Sequence, residues 1–134
     1  MQGYLFDASS LIYAVKMKNI ELLHDNCIQW LTVYEVVNAL WKEVHLIRSL
    51  SVEDAHKLLK VILDVIEFMR VLSPHPYEPD IIATAHELSL TAYDASYVVL
   101  AKKNDLVLVT EDWKLRRKAQ AIINVASVDE IIIT

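Results

Sequence analysis

The chain has 134 residues, of which 54% are hydrophobic, and it carries a net charge of −5. This composition disfavours disorder and predicts a single folded domain spanning residues 1–134. The single cysteine, Cys27, excludes an internal disulfide framework, and no apolar run reaches the ~18 residues that a membrane span needs. The apolar run at residues 1–6 is too short for a secretory signal, so we expect a cytoplasmic protein without membrane contact.

Apolar runs that stop at polar residues predict strands, and apolar residues at helical spacing predict the helices between them. In chain order, the sequence predicts a strand at 3–6, a helix at 9–18, a strand at 27–30, helices at 32–48 and 52–66, a strand at 68–72, helices at 79–88 and 93–103, a strand at 106–109, a helix at 113–121 and a strand at 123–126. This alternation predicts an α/β protein with a doubly wound parallel sheet. Ligands in such sheets bind beyond the carboxyl ends of the strands.

Several helix starts carry specific signals. Thr32 and Glu35 have the spacing of a capping box, and Ser51 and Ser127 stand where caps of the following helices belong. Pro79 is suited to a first helical turn. The helix at 93–103 is almost wholly apolar, so we expect it to be buried.

Four of the eighteen acidic residues stand at the ends of predicted elements. Asp7 and Asp112 follow strands, Glu35 opens a helix, and Asp94 lies at the head of the buried helix. Each has a simple structural explanation as a helix cap or as part of a capping box. Because a parallel α/β sheet brings such ends to one edge, we also expect the four carboxylates to meet there.

Carboxylates that converge in one cleft suit a hard divalent cation such as Mg²⁺, which prefers oxygen ligands and keeps several waters. Phosphodiester cleavage uses such sites, because one ion activates a water and a second stabilises the leaving oxygen. The sequence leaves the number of ions open. Other chemistries have weaker support: there is one glycine and hence no phosphate loop, the histidines lack zinc spacing, and Ser9 and Ser10 lack the setting of a hydrolase nucleophile.

The order of these motifs resembles the PIN-domain family. Asp7-Ala8-Ser9-Ser10 follows a strand, Glu35 lies in a helix start, Asp94 lies on a buried helix, and Thr110-Glu111-Asp112 follows a late strand. The resemblance covers essentially the whole chain. In its compactness the chain also resembles the VapC-type toxins of prokaryotic toxin–antitoxin pairs.

The resemblance implies a three-layer α/β/α sandwich with a central, mostly parallel sheet. It further implies an endoribonuclease that depends on Mg²⁺ or Mn²⁺ and cleaves single-stranded or structured RNA. A homodimer is also implied, together with an antitoxin protein that enters the acidic cleft.

The resemblance also assigns site residues by position. The catalytic and metal-binding acids are Asp7, Glu35, Asp94 and, as a more variable fourth member, Asp112. Ser9 and Thr110 match the supporting hydroxyls of the family. Glu111 adjoins Asp112 and is the alternative fourth ligand, although the spacing from Thr110 favours Asp112.

Basic residues are concentrated near the C-terminus, at Lys102, Lys103, Lys114, Arg116, Arg117 and Lys118. A solvated helix face is the simplest explanation of such a run. Lys114, Arg116, Arg117 and Lys118 lie close enough to the late acids in sequence to be predicted contacts to the RNA backbone. Trp113 is interpreted as a core or dimer-interface residue, with base stacking as the alternative. Very apolar stripes on the helices at 32–48 and 52–66 predict a dimer interface.

Three other functions remain to be weighed. A haloacid-dehalogenase-like phosphatase places a second Asp two residues after the first, where this chain has Ser9. A receiver domain needs an acidic pair after its first strand and a late Lys, whereas Asp7 stands alone and Thr110 follows the late strand. A PIN-fold RNA-binding or scaffold protein without cleavage is the third, and the complete set of acids counts against it.

Overall fold

In the part of the chain that the structure describes, five short strands lie side by side in one sheet, and every pairing between them is parallel. The computed structural model describes residues 2–132. In chain order the strands are β1 (Gly3–Phe6), β2 (Cys27–Gln29), β3 (Arg70–Leu72), β4 (Leu106–Val109) and β5 (Val125–Ala126). The helices are α1 (Ala8–Lys16), α2 (Trp30–Lys42), α3 (Val52–Ile66), α4 (Glu78–Leu88), α5 (Ala92–Lys103), α6 (Trp113–Ala119) and α7 (Val128–Ile132). A 3₁₀ turn at Ile20–Leu23 and a π-helical turn at Glu43–Ile47 complete the described elements.

The strand order β3-β2-β1-β4-β5 places the start of the chain at the centre of the sheet. From β1 the chain proceeds outward to β2 and β3, and then returns to the other side of β1 to form β4 and β5. The reversal between β1 and β4 is a topological switch point, where ligands of open α/β sheets bind. The predicted doubly wound parallel sheet is confirmed.

Successive strand residues point to opposite sides of the sheet, so that apolar side chains lie on both of its faces. Helices cover both faces and bury these side chains. Phe6 and Val109 belong to one buried cluster, which is completed by side chains of α1, α2, α3 and α7. Leu5 and Leu108 belong to a second cluster, completed by side chains of α5 and α6. The predicted three-layer α/β/α architecture is therefore present. Across residues 2–132 we find no helix whose length and apolarity would let it cross a membrane.

The predicted helix starts are correct in part. Ser51 caps α3 by accepting the Asp54 N–H at 3.1 Å, as expected. The predicted capping box of Thr32 and Glu35 is wrong, because α2 begins at Trp30, directly after β2. Thr32 therefore lies inside the first turn, where its hydroxyl accepts the Gln29 N–H at 3.1 Å. Because α2 begins two residues earlier than predicted, Glu35 is not part of its capping box.

Candidate active site

A cavity of about 360 Å³ lies at the carboxyl edge of the sheet, and all four predicted acids line it. Asp7 precedes α1 and Asp112 precedes α6, while Glu35 lies in the second turn of α2 and Asp94 in the first turn of α5. Four separate elements thus contribute one carboxylate each. This is the convergence that the sheet topology predicts.

Asp7 is 7% exposed and is held by neutral donors on both carboxylate oxygens. Its Oδ1 accepts the Ser10 N–H at 2.9 Å, which caps α1, and the Ser9 hydroxyl at 2.7 Å. Its Oδ2 accepts the hydroxyl of Thr110. The two hydroxyls assigned by resemblance, Ser9 and Thr110, therefore both contact this one acid. Burial raises the pKa of Asp7, and the hydrogen bonds from Thr110, Ser10 and Ser9 oppose that rise.

Ser10 is a buried residue of this site that sequence reasoning missed. Its Oγ lies 3.0 Å from Asp7 Oδ1 and 2.6 Å from the carbonyl oxygen of Val109. The side chain thereby connects the start of α1 to the end of β4. Its position three residues after Asp7, on the first turn of a buried helix, is the signal that would have identified it.

Glu35 is oriented by a buried tyrosine on the opposite helix. The hydroxyl of Tyr97, a residue that is 1% exposed, donates to Glu35 Oε1 at 2.5 Å and lies 2.8 Å from Thr32 Oγ1. Burial raises the pKa of Glu35, the Tyr97 hydrogen bond lowers it, and the charges of Asp7 and Asp94 raise it further. Tyr97 was not predicted, although its position three residues after Asp94 places both on the same side of α5.

Asp94 is not a helix cap. Thr91 caps α5, because its Oγ1 accepts the Asp94 N–H at 3.1 Å. The carboxylate is half-buried, and desolvation raises its pKa. The charges of Asp112 and Asp7 raise that pKa further, whereas Lys118 lowers it. Capping therefore does not explain why an acid stands here.

Asp112 does cap a helix, as its structural explanation predicted. Its Oδ1 accepts the backbone N–H groups of Lys114 at 2.9 Å and Leu115 at 3.2 Å at the start of α6. The neighbouring Glu111 points elsewhere, because its Oε2 accepts the Val128 N–H at 2.9 Å at the start of α7. Of the two alternatives for the fourth acid, Asp112 is the one that lines the acidic cavity.

The chemistry of this donor set fits a divalent cation. Asp7, Glu35 and Asp94 all have raised pKa values, and for the last two mutual repulsion between the carboxylates contributes to the rise. Across residues 2–132, no group of three or more His, Cys, Asp or Glu side chains is arranged so that it could hold a metal ion by itself. An ion that keeps several of its waters, as Mg²⁺ does, requires no such set. The cavity therefore suits a divalent cation that keeps several of its waters better than a fully protein-bound ion.

The predicted basic contacts divide into two groups. The positive charge of Lys118 lowers the pKa of Asp94, and its Nζ donates to the carbonyl oxygen of Ser89 at 2.7 Å. Lys114 and Arg117 are exposed. Arg116 is instead directed toward α7, where its guanidinium contacts Glu130 at 2.5 and 2.8 Å.

Sequence reasoning missed two polar residues that line the acidic cavity from α2, Asn38 and Lys42. They follow Glu35 by three and seven residues, which is the spacing of one helix face. Trp113 was interpreted as a core or dimer-interface residue; the core position is wrong, because 71% of the residue is exposed.

Known proteins are similar to this chain in both sequence and fold. The PIN domain family profile matches residues 4–121. Exonuclease VapC9 of Pyrobaculum aerophilum is 39% identical over 125 residues, which cover 91% of this chain and 90% of that protein. Ribonuclease VapC3 of the same organism is 39% identical over 97 residues, covering 69% of this chain and 70% of that protein.

Two solved structures resemble the fold. The crystal structure of PAE2754 from Pyrobaculum aerophilum has a TM-score of 0.81 at 33% identity, covering 98% of this chain and 88% of that one. The crystal structure of DNA-bound VapBC from Salmonella typhimurium has a TM-score of 0.66 at 20% identity, covering 95% and 98%, and it supports the fold alone. The chain belongs to the PIN domain family and resembles the VapC proteins within it.

Proposed function

We propose that the chain is a Mg²⁺- or Mn²⁺-dependent ribonuclease that hydrolyses internal phosphodiester bonds of single-stranded RNA. The observation that carries this proposal is the convergence of Asp7, Glu35, Asp94 and Asp112 on one cavity at the switch point of the sheet. The relatives VapC9 and VapC3, named an exonuclease and a ribonuclease, support nucleic-acid hydrolysis as the reaction class. Carboxylates of this cavity would hold a cation that keeps several of its waters.

A bound divalent cation supplies a hydroxide at neutral pH and offsets negative charge at the phosphate. The side chains of the protein contribute orientation. Hydroxyl groups of Ser9 and Thr110 fix both oxygens of Asp7, and Tyr97 fixes Glu35, so that neither carboxylate needs to reorganise when substrate binds. The exposed lysines of α6, Lys114 and Lys118, are placed to contact the phosphate backbone.

We also infer that the chain is the toxin of a toxin–antitoxin pair and that it forms a homodimer. The likeness to VapC proteins supports the first inference. For the second, Val37 and Trp41 of α2 and Val52 of α3 are exposed and line one apolar cavity of about 190 Å³, which a second copy would cover. An upstream gene for a DNA-binding protein, and a dimeric mass in solution, are the observations that test these two inferences.

The purified protein is expected to degrade single-stranded RNA with Mg²⁺ or Mn²⁺, and EDTA is expected to stop it. Asp7→Asn and Asp94→Asn should each reduce the rate by about 10²–10³-fold or more, because each removes a ligand charge. Asp25→Asn is the matched control, since Asp25 is an exposed acid outside the cavity. Full activity in either cavity variant would contradict the assignment.

A circular single-stranded RNA separates internal cleavage from digestion at ends. We expect the protein to linearise the circle, because its cavity is open at the carboxyl edge of the sheet and needs no free end. Degradation of linear RNA with no attack on the circle would identify an exonuclease. RNA binding without cleavage of either substrate would favour the non-catalytic PIN-fold alternative.

Asp94→Asn is expected to stabilise the metal-free protein at neutral pH. The pKa of Asp94 is higher in the folded protein than its ordinary value, so this acid supports the fold when protonated, and that contribution is lost as the pH rises through the raised pKa. In EDTA, thermal unfolding should therefore occur at a higher temperature for Asp94→Asn than for wild type at pH 7, with the difference shrinking toward acidic pH. Mg²⁺ should raise the midpoint of wild type more than that of the variant. Equal midpoints at all pH values would refute the idea that burial and the neighbouring carboxylates disfavour the charged form of Asp94.

Tyr97→Phe is expected to weaken the response to Mg²⁺. The substitution removes the hydroxyl that holds Glu35, and loss of such a partner lowers metal affinity by roughly 10–100-fold. The Mg²⁺ concentration for half-maximal activity should rise accordingly, and saturating Mg²⁺ should restore much of the rate. Tyr93→Phe, at an exposed position on the same helix, is the control. An unchanged Mg²⁺ titration for Tyr97→Phe would mean that the hydrogen bond has no role in positioning Glu35.

A further inference from the structure

A second cavity, of about 220 Å³, lies beside the acidic one and shares Asp112 with it. Trp113 and Arg116 of α6 line it on one side, and Asp129 of α7 lines it on the other. Because the two cavities share a carboxylate, an RNA strand with a phosphate at the acids has an adjacent nucleotide within reach of this second cavity.

Trp113 lines this cavity with a large side chain that is mostly exposed. It directly follows Asp112, and 71% of the residue is open to solvent. The guanidinium of Arg116 lies 5.2 Å from the centre of the ring, and Glu130 holds that guanidinium through contacts of 2.5 and 2.8 Å. The ion pair therefore supports the ring from one side, while the remainder of the indole stays accessible.

We propose that Trp113 and this second cavity form a nucleobase-binding subsite, in which the base of a nucleotide next to the cleaved phosphate stacks on the indole. The inference rests on the proposed ribonuclease function. Single-stranded RNA is typically held by stacking unpaired bases on aromatic rings, and this contact tolerates any base because every base has a flat face. A base that covers the indole also removes its apolar surface from water.

The charges around the subsite favour a base inside it and the backbone outside. Three acidic residues, Glu111, Asp112 and Asp129, line the cavity, and Glu130 engages the charge of Arg116. A phosphate is repelled by such a lining, whereas the N–H groups of a base edge find acceptors there. The exposed Lys114, next to Trp113 in sequence, is available to the backbone. This separation of charges distinguishes a base subsite from a second phosphate site.

Binding of a short single-stranded RNA tests the subsite without cleavage. Asp94→Asn protein in Mg²⁺ is titrated with the intact oligonucleotide and with versions in which one abasic nucleotide is moved along the strand. We expect one abasic position to weaken binding by roughly ten-fold, the scale of one stacked base. That penalty should vanish when Trp113→Ala is added and should largely remain with Trp113→Phe. Phe68→Ala is the control, because Phe68 is an exposed aromatic residue just before β3, at the opposite edge of the sheet.

The outcomes separate this inference from the proposed function. If the wild-type protein cleaves RNA but the abasic penalty is the same with and without Trp113→Ala, there is no subsite and the ribonuclease proposal stands. A change of oligomeric state in Trp113→Ala, measured by light scattering, would place the ring in a dimer interface and overturn the subsite. If the wild type neither binds nor cleaves RNA, the proposed function fails, and the subsite fails with it.

Discussion

The parallel pairing of β1 with β4 is the constraint on which the site depends. The two strands are paired over their whole length, so that Phe6 lies opposite Val109 and both strands end side by side. Asp7 is the first residue beyond β1 and Thr110 the first beyond β4, and for this reason the hydroxyl of one reaches the carboxylate of the other. Ser10 reinforces the junction by hydrogen bonding to the Val109 carbonyl oxygen. A shift of β4 by one residue relative to β1 would move Thr110 away from Asp7 and turn the side chains of β4 to the opposite faces of the sheet.

The acidic cavity brings four acidic side chains together, and the groups that hydrogen bond to Asp7 and Glu35 there are neutral. Asp7 is held by hydroxyl and backbone N–H groups, and Glu35 is held by the phenol of Tyr97. Burial raises the pKa values of Asp7, Glu35 and Asp94, and for Glu35 and Asp94 the charges of neighbouring carboxylates raise them further. Such an arrangement costs stability in the absence of a cation and favours binding of one. Functional sites typically hold charged groups in positions where those groups lower the stability of the fold.

The sequence predicted the fold from its apolar runs, and it predicted the four acids from their positions at the ends of elements together with the resemblance to the PIN-domain family. Asp94 was identified from its apolar neighbours, and the structure removes its simplest alternative by giving the cap of α5 to Thr91. Glu35 was placed correctly despite a wrong capping box, since its position depends on α2 as a whole rather than on its first residue. The role of Tyr97 was not predictable, because its hydrogen bond joins two helices that are distant in the chain. The sequence left Trp113 open between the core, a dimer interface and base stacking, since an apolar residue at a helix start gives no sign of which side it faces, and its exposure excludes only the core.

We propose that carboxylates of the acidic cavity bind a hydrated divalent cation. Anomalous diffraction from crystals containing Mn²⁺ tests it most directly, because the scattering locates the ion independently of activity. We expect a manganese peak in the acidic cavity, with oxygens of Asp7 and Asp94 among its ligands, and loss of that peak in Asp94→Asn. Manganese bound only at Glu111 and Asp129, or no peak in the acidic cavity of crystals of an RNA-cleaving protein, would contradict the account.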